Sequence, residues 1–544
     1  MRTSALLLSV TVLALAGCAQ WGGPGPDKDK TYAITILHTN DHHGRFWKNR
    51  DGEYGMAARK TVIDQIRQEV KTAGGYSLLL DGGDVNTGVP ESDLQDAVPD
   101  FRGMNLLGYD AMAVGNHEFD KPPVVLQMQR DLATFPMLSA NIYKDGSRMF
   151  APYKVFNLGG VRVGVMGLTT EDTQKMVHPD NVRGVTFANV QTETTKLLPE
   201  LRQKADVVIA ATHMGHYEDG KHGVQAPGDV ELARAVKGLD MIVGGHSQNP
   251  ACMKAENVLD RAYVPGTECK PDRQNGTWIV QAHEWGKYVG RADFSYRNGE
   301  FTLVKYTLVP INLKKAVKTA DGKTVMQTYA PEIAESPEML QLLKPFQDFG
   351  QQKLLVEVGS SDGKLEGDRS VVRSQPTALG VMIGKSMMDK TQADFAIVNA
   401  GGVRDSLPAG KITYKDVLTV HPFGNTVVVV SLNGKEVRDY LAAAAKMTAG
   451  SGAFAQFAGI QLVMEAGQVM SAKVAGQDID PAKTYRMAIN NFVAAGGDGY
   501  PKLSTHPGYV DTGFVDADVL RAYIAANSPL RSQAYAPGNS VVRR

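Results

Sequence analysis

Along the chain, the spacing of apolar positions switches repeatedly between two patterns. Short runs at Tyr32 to His38, Tyr76 to Leu80, Ala111 to Val114, Pro136 to Ala140, Val161 to Leu168, Asp206 to Ala211 and Met241 to Val243 have the length and composition of strands. Segments between them, such as Met56 to Val70 and Val190 to Gln203, carry apolar residues at helical spacing. Strands and helices in alternation predict a layered α/β fold with a buried sheet.

The pattern is interrupted between Ser336 and Val358. There a helix-like stretch beginning Pro337-Glu-Met-Leu-Gln-Leu-Leu contains Pro345 and is followed by Gly359-Ser-Ser-Asp, read as a turn. This divides the folded chain into a first domain over 31–336, a linker helix or hinge over 337–358 and a second α/β domain over 359–544. Strands in the second are predicted at Phe395 to Asn399, Thr426 to Ser431 and Gly459 to Met464, and no internal repeat stands out. The length agrees with the division, since 544 residues exceed what one hydrophobic core ordinarily organises.

Composition narrows the partners. Hydrophobic residues make up 43% of the chain, and 58 basic residues balance 58 acidic ones, so net charge directs it neither to a nucleic-acid polymer nor to a membrane surface. No obligate protein partner is evident. The amino terminus is different: Arg2, an apolar run from Ala5 to Leu15 too short to span a bilayer, and Leu15-Ala16-Gly17-Cys18 together read as an export signal over 1–18. The tetrapeptide resembles the bacterial lipobox, which implies a lipid on Cys18. Ala19 after the cysteine favours the outer membrane, with a soluble periplasmic protein as the alternative. Residues 19–30, rich in Gly, Pro and charge, suit a tether. Cys252 and Cys269, the two remaining cysteines, are expected to pair in an exported protein; a metal site is the alternative, and it lacks further cysteines.

The candidate chemistry lies at strand ends. Asn40-Asp41-His42-His43-Gly44 follows the first strand, Asp81-Gly82-Gly83-Asp84 the second, and Gly115-Asn116-His117-Glu118-Phe119-Asp120 the third. Two later strands end in Thr212-His213-Met214-Gly215-His216 and in Gly244-Gly245-His246-Ser247-Gln248. Catalytic groups gather at such ends in α/β folds, and mixed oxygen and nitrogen ligands suit divalent zinc, manganese, magnesium or cobalt.

This ordered set resembles the calcineurin-like metallophosphoesterases. Gly-Asn-His-Glu-Phe-Asp and Gly-Gly-His-Ser-Gln, with Gly-Gly-Val-Arg-Asp and Gly-Gly-Asp-Gly-Tyr in the second domain, are similar to the bacterial 5′-nucleotidase/UDP-sugar hydrolase family, over a span from Thr31 to the carboxyl terminus. The resemblance implies a four-layer αββα sandwich followed by a smaller nucleotide-binding domain. It implies one metal ion on Asp41, His43, Asp84 and Gln248 and another on Asp84, Asn116, His213 and His246, with Asp84 shared. His117 would stabilise the transition state or protonate the leaving group, oriented by Asp120, whose alternative role is a helix N-cap. Arg369, Arg373 and Arg404 would hold the anionic substrate, Phe423 and Phe492 would sandwich the base, and Asp498 would face the ribose. Both phenylalanines have a plainer reading as core residues. His42, His216 and His222 are left off the metal. The implied activity is hydrolysis of nucleotide phosphate esters, and of UDP-sugar pyrophosphates in addition. A 2′,3′-cyclic nucleotide phosphodiesterase, a thiosulfohydrolase and a catalytically silent nucleotide-binding surface protein are the rival readings.

Overall fold

A computed structural model describes residues 25–177, 179–217, 226–256, 258–319 and 323–544. Cys18 and His222, singled out in the sequence, lie outside the described residues.

Two six-stranded sheets form the first unit. In the first, Tyr32–Thr39, Tyr76–Asp81, Ala111–Ala113 and Met137–Leu138 run parallel in that order, and the antiparallel pair Tyr288–Arg297 and Glu300–Pro310 extends the sheet beyond Tyr32–Thr39. In the second, Val161–Thr169, Val207–His213, Met241–Val243 and Thr277–Val280 are parallel neighbours, with Tyr153–Leu158 and Asp272–Gln274 at the edges. The side-chain alternation of Val207–His213 shows how the layers stack: Val207, Ile209 and Ala211 join the core shared with the first sheet, whereas Val208 and Ala210 pack with Leu197, Leu201 and Val230 of the outer helices. Helix Met56–Thr72 covers the other side of the first sheet through Val62, Ile63, Ile66 and Val70. The result is the four-layer helix, sheet, sheet, helix arrangement.

Helix Pro337–Leu354 leaves this unit. Ser336 caps it by accepting the Met339 N–H, Pro337 occupies a first-turn position where no donor is needed, and Met339 and Leu343 are buried against the first core. The segment Gly359 to Asp362, read as a turn, is corrected by the structure: Glu357–Ser361 is a strand paired with Gly410–Thr413, a partner about fifty residues away and invisible in the local pattern. Beyond it a five-stranded sheet runs in the order Ala455–Ala458, Phe395–Asn399, Thr484–Asn490, Thr426–Asn433 and Tyr509–Val515. Helix Ala378–Thr391 packs on one face, and helix Gly434–Ala445 with a small sheet that includes Ile460–Glu465 packs on the other. Cys252 and Cys269 are joined sulfur to sulfur, both buried, with Cα atoms 4.9 Å apart.

One core position couples the fold to pH. His38 is fully buried in the first strand, stacked on Tyr306 with Nε2 3.1 Å from its hydroxyl, and Nδ1 has no partner among the described residues. Burial pushes its pKa down to about 3. The unfolded chain therefore binds a proton below pH 6.5 that the native state refuses, and stability drains away as the pH falls from 6.5 toward 3, by about 1.4 kcal/mol per unit. His38→Gln keeps a partner for Tyr306 but cannot titrate. Urea unfolding from pH 7 to pH 4.5 should show a shallower decline for this variant than for the wild type, and parallel declines would remove His38 from the acid response.

Candidate active site

Parallel strands within each sheet bring their carboxyl ends to one edge, and the two edges meet. Contact is close enough to exclude side chains: a Cβ on Gly82 would lie 2.6 Å from the Gly244 carbonyl oxygen. Around this junction stand Asp41, His43, Asp84, Asn116, His213, His246 and Gln248. Five of them, Asp41, His43, Asp84, His246 and Gln248, have φ between 50° and 76°, a left-handed backbone costing L-residues about 1–3 kcal/mol each. The surrounding bonds must sustain it.

They do so by aiming donor atoms inward. His43 Nδ1 donates to the Thr87 carbonyl at 2.8 Å and His213 Nδ1 to the Gly82 carbonyl at 2.7 Å, which leaves each Nε2 lone pair facing the centre. Asp84 Oδ2 lies 2.9 Å from His213 Nε2 and 3.8 Å from His43 Nε2, so one carboxylate oxygen serves both histidines. Asn116 Oδ1 and His246 Nδ1 are each 3.2 Å from His213 Nε2. Asp41 Oδ2 accepts from the Asn40 amide and the His246 N–H, while its buried Oδ1 accepts from no donor among the described residues. Burial alone would raise the Asp84 pKa, yet His213 and His117 outweigh it and hold the carboxyl well below its usual range.

Such a set fits two divalent cations. It combines an unpartnered buried carboxylate oxygen, inward imidazole lone pairs and a carboxylate between them. Gln248 is the exception in orientation: its Nε2 sits 2.7 Å from His43 Nε2 and its Oε1 accepts from Arg369. Half a turn of the terminal amide brings the oxygen to the centre instead.

His117 stands at the rim. Its Nδ1 is 2.5 Å from Asp120 Oδ2, and Nε2 is 3.9 Å from Asp84 Oδ2. Burial draws the imidazole pKa down, but Asp120 and then Asp84 prevail and leave it raised. The N-cap alternative for Asp120 is not what the structure has, since Pro122 occupies that position before helix Pro123–Leu132 without a side-chain bond. His42 turns away from the centre, with Nε2 2.9 Å from Asp100 and Nδ1 3.2 Å from Arg59. His216 pairs with Asp272.

The second unit closes a cleft of about 290 Å³ over this centre. Arg369 and Arg373 flank the single turn Arg369–Val372, which Asp368 caps, and Arg404 follows the turn Ala400–Gly402. Arg373 is pushed well below the usual arginine range by burial and then by Arg369 and Arg404, and Arg404 is lowered to about 10 by burial and Arg369. Three cations pressed together this way make an anion site. Phe423 is stacked on His117, ring centres 6.0 Å apart, with Arg404 5.4 Å from its own ring centre. Phe492 rests partly on the second core, and both rings line the cleft. Asp498, with φ 55°, accepts from Asn399 Nδ2 at 2.7 Å. Sequence reading passed over Asn399, Tyr217 and Asn425, which also line the cleft. Asn399 ends strand Phe395–Asn399, so the strand-end rule used for the first unit would have found it.

The geometry yields a direct expectation. Asp84→Ala removes the group common to both halves and should abolish binding of both ions, whereas Gln248→Ala should weaken chiefly one. Metal content after dialysis against a limiting divalent ion measures this. Two tightly bound ions in Asp84→Ala would refute the assignment.

Comparison with known proteins gives a consistent picture. The calcineurin-like phosphoesterase family model matches residues 34–250 and the 5′-nucleotidase C-terminal domain matches residues 357–505. Protein UshA of Yersinia enterocolitica is 57% identical over 100% of this chain and 99% of its own length. A 5′-nucleotidase of Vibrio cholerae is 55% identical over 99% of this chain and 98% of its own. Among solved structures, a 5′-nucleotidase precursor from Thermus thermophilus is 29% identical with a TM-score of 0.75, covering 94% of this chain and 99% of that one. With the two matched families in this order and similarity running end to end, the chain belongs to the 5′-nucleotidase family of calcineurin-like metallophosphoesterases and is a hydrolase of phosphoric esters.

Proposed function

We propose that the protein is an exported, lipid-anchored 5′-nucleotidase that cleaves nucleotides to nucleoside and phosphate, and nucleotide-sugar pyrophosphates as a second substrate class. One observation carries the reading: the cluster at the strand ends and the arginine and phenylalanine set of the second unit face each other across a single cleft. Relatives named 5′-nucleotidase support it.

Zinc, manganese, magnesium or cobalt ions held by Asp41, His43, Asp84 and Gln248 and by Asp84, Asn116, His213 and His246 would supply Lewis-acid activation of water and charge neutralisation. The chain's own residues account for the rest. Arg369, Arg373 and Arg404 bind the anionic ester and offset its charge. His117, kept protonated by Asp120, donates from Nε2 to the phosphoryl or leaving oxygen. Asp498, steadied by Asn399, accepts from the ribose hydroxyls, and the rings of Phe423 and Phe492 take the base.

Phe423→Ala or Phe492→Ala should forfeit about 1–3 kcal/mol of nucleotide binding, roughly ten- to a hundredfold in affinity. Hydrolysis of p-nitrophenyl phosphate, which has no base, should change much less than that of AMP. Equal loss on both substrates with early melting would make the rings core residues. Unchanged rates on both would move base recognition elsewhere.

The anchor rests on Leu15-Ala16-Gly17-Cys18. Among the described residues no helix is long and apolar enough to cross a membrane. Cys18→Ser should give active enzyme released from the membrane fraction, with processing of the wild type blocked by globomycin. Wild-type protein found wholly soluble would refute the lipid.

A further inference from the structure

The tripeptide His246-Ser247-Gln248 spans the metal-facing cluster. His246 stands beside His213, and Gln248 stands beside His43, so its two ends belong to different ion positions. Both flanking residues have left-handed backbones, φ 76° and 56°. Ser247, between them, is buried, and its hydroxyl turns inward. Oγ accepts the His216 N–H at 3.0 Å and donates to Gln281 Oε1 at 2.8 Å. Both partners are anchored in turn. His216 Nε2 is 2.8 Å from Asp272 Oδ2, and the Gln281 carbonyl accepts the Ala251 N–H at 3.2 Å, which ties down the loop after Gln248. On the opposite side the His246 N–H donates to Asp41 Oδ2 at 2.9 Å.

We propose that Ser247 is a positioning residue that sets one ligand of each metal ion at once, with Gln281 and the His216–Asp272 pair as its fixed base. The inference rests on the two-ion reading of the site. Without the hydroxyl, a buried amide oxygen and a buried N–H lose their partner, and only the bond from the Ser247 N–H to the Gly245 carbonyl is left at this residue to oppose relaxation of the left-handed backbones on either side. Relaxation at either residue redirects its side chain, so the loss reaches both ion positions. Removing Gln248 alone touches one.

Manganese(II) titration of the full-length protein by calorimetry, with chelator competition, distinguishes these cases, and electron paramagnetic resonance reports whether two ions share a bridging carboxylate. The wild type should bind two ions and give the spectrum of an exchange-coupled pair. Ser247→Ala should lose about 10- to 100-fold in affinity at both positions, as outer partners of metal ligands do. At manganese concentrations that saturate the wild type, its coupled signal should fall. Gln248→Ala should lose affinity at one position, and Gln281→Met should follow Ser247→Ala with a smaller loss at both. Wild-type affinity with an intact coupled signal in Ser247→Ala, or weakening of one ion alone, overturns the proposal. If Ser247→Ala fails to fold, Gln281→Met decides by the same two readouts. Fewer than two ions on the wild type would overturn the two-ion reading, and this proposal with it.

Discussion

A carboxylate with no access to solvent must be balanced by groups that reach it from several directions, and Asp84 imposes this requirement on the first unit. Its Oδ1 accepts the His117 N–H, its Oδ2 faces His213, and its own N–H donates to the buried Glu118 carboxylate. Glu118 also accepts from Gly115, Val85 and Asn86 and so binds the second and third strand ends into one rigid piece. The left-handed residues around the cluster persist because this web of bonds leaves the backbone no relaxed alternative. Close approach of the strand ends of the two stacked sheets then follows from the glycines, which allow the backbones to touch where side chains would hold them apart.

Charge is divided between the two units. Carboxylates and imidazoles gather on the first, while Arg369, Arg373 and Arg404 gather on the second, where Asp498 is the carboxylate that acts on Arg373 and Arg404. Arg369 and Arg404 both lower Arg373, and Arg369 lowers Arg404, so an anion among them would relieve their repulsion. Away from the cleft, Lys415 of the second unit pairs with Glu91, a buried carboxylate of the first, and Gly350 of the intervening helix lies against the same side chain. These contacts hold the units in the arrangement that closes the cleft.

Much of this was legible in the chain because it depends on local periodicity. Strands at Tyr76–Asp81, Val161–Thr169 and Phe395–Asn399 begin where the apolar runs begin, and the polar clusters directly after the strands are the ones that converge. Features that depend on distant partners were not legible. The antiparallel pair Tyr288–Arg297 and Glu300–Pro310 completes a sheet begun more than 240 residues earlier, and the segment from Gly359 to Asp362 reads as a turn until Gly410–Thr413 is beside strand Glu357–Ser361. Motif matching also gives residue types without attitudes. It names Gln248 and Phe423, but neither the turn of the amide toward Arg369 nor the stacking of the ring on His117 is written in the sequence.

The order of residues along the chain has a bearing on biogenesis. Every residue of the strand-end cluster lies at or before Gln248, and every arginine and phenylalanine of the opposing set lies at or after Arg369, with helix Pro337–Leu354 between. The half that carries the strand-end cluster is therefore synthesised before the half that carries the arginines and phenylalanines facing it. Until the carboxyl-terminal sheet is in place, the cleft over that cluster lacks its second wall. The wall that narrows access to the strand ends is thus the later of the two to form.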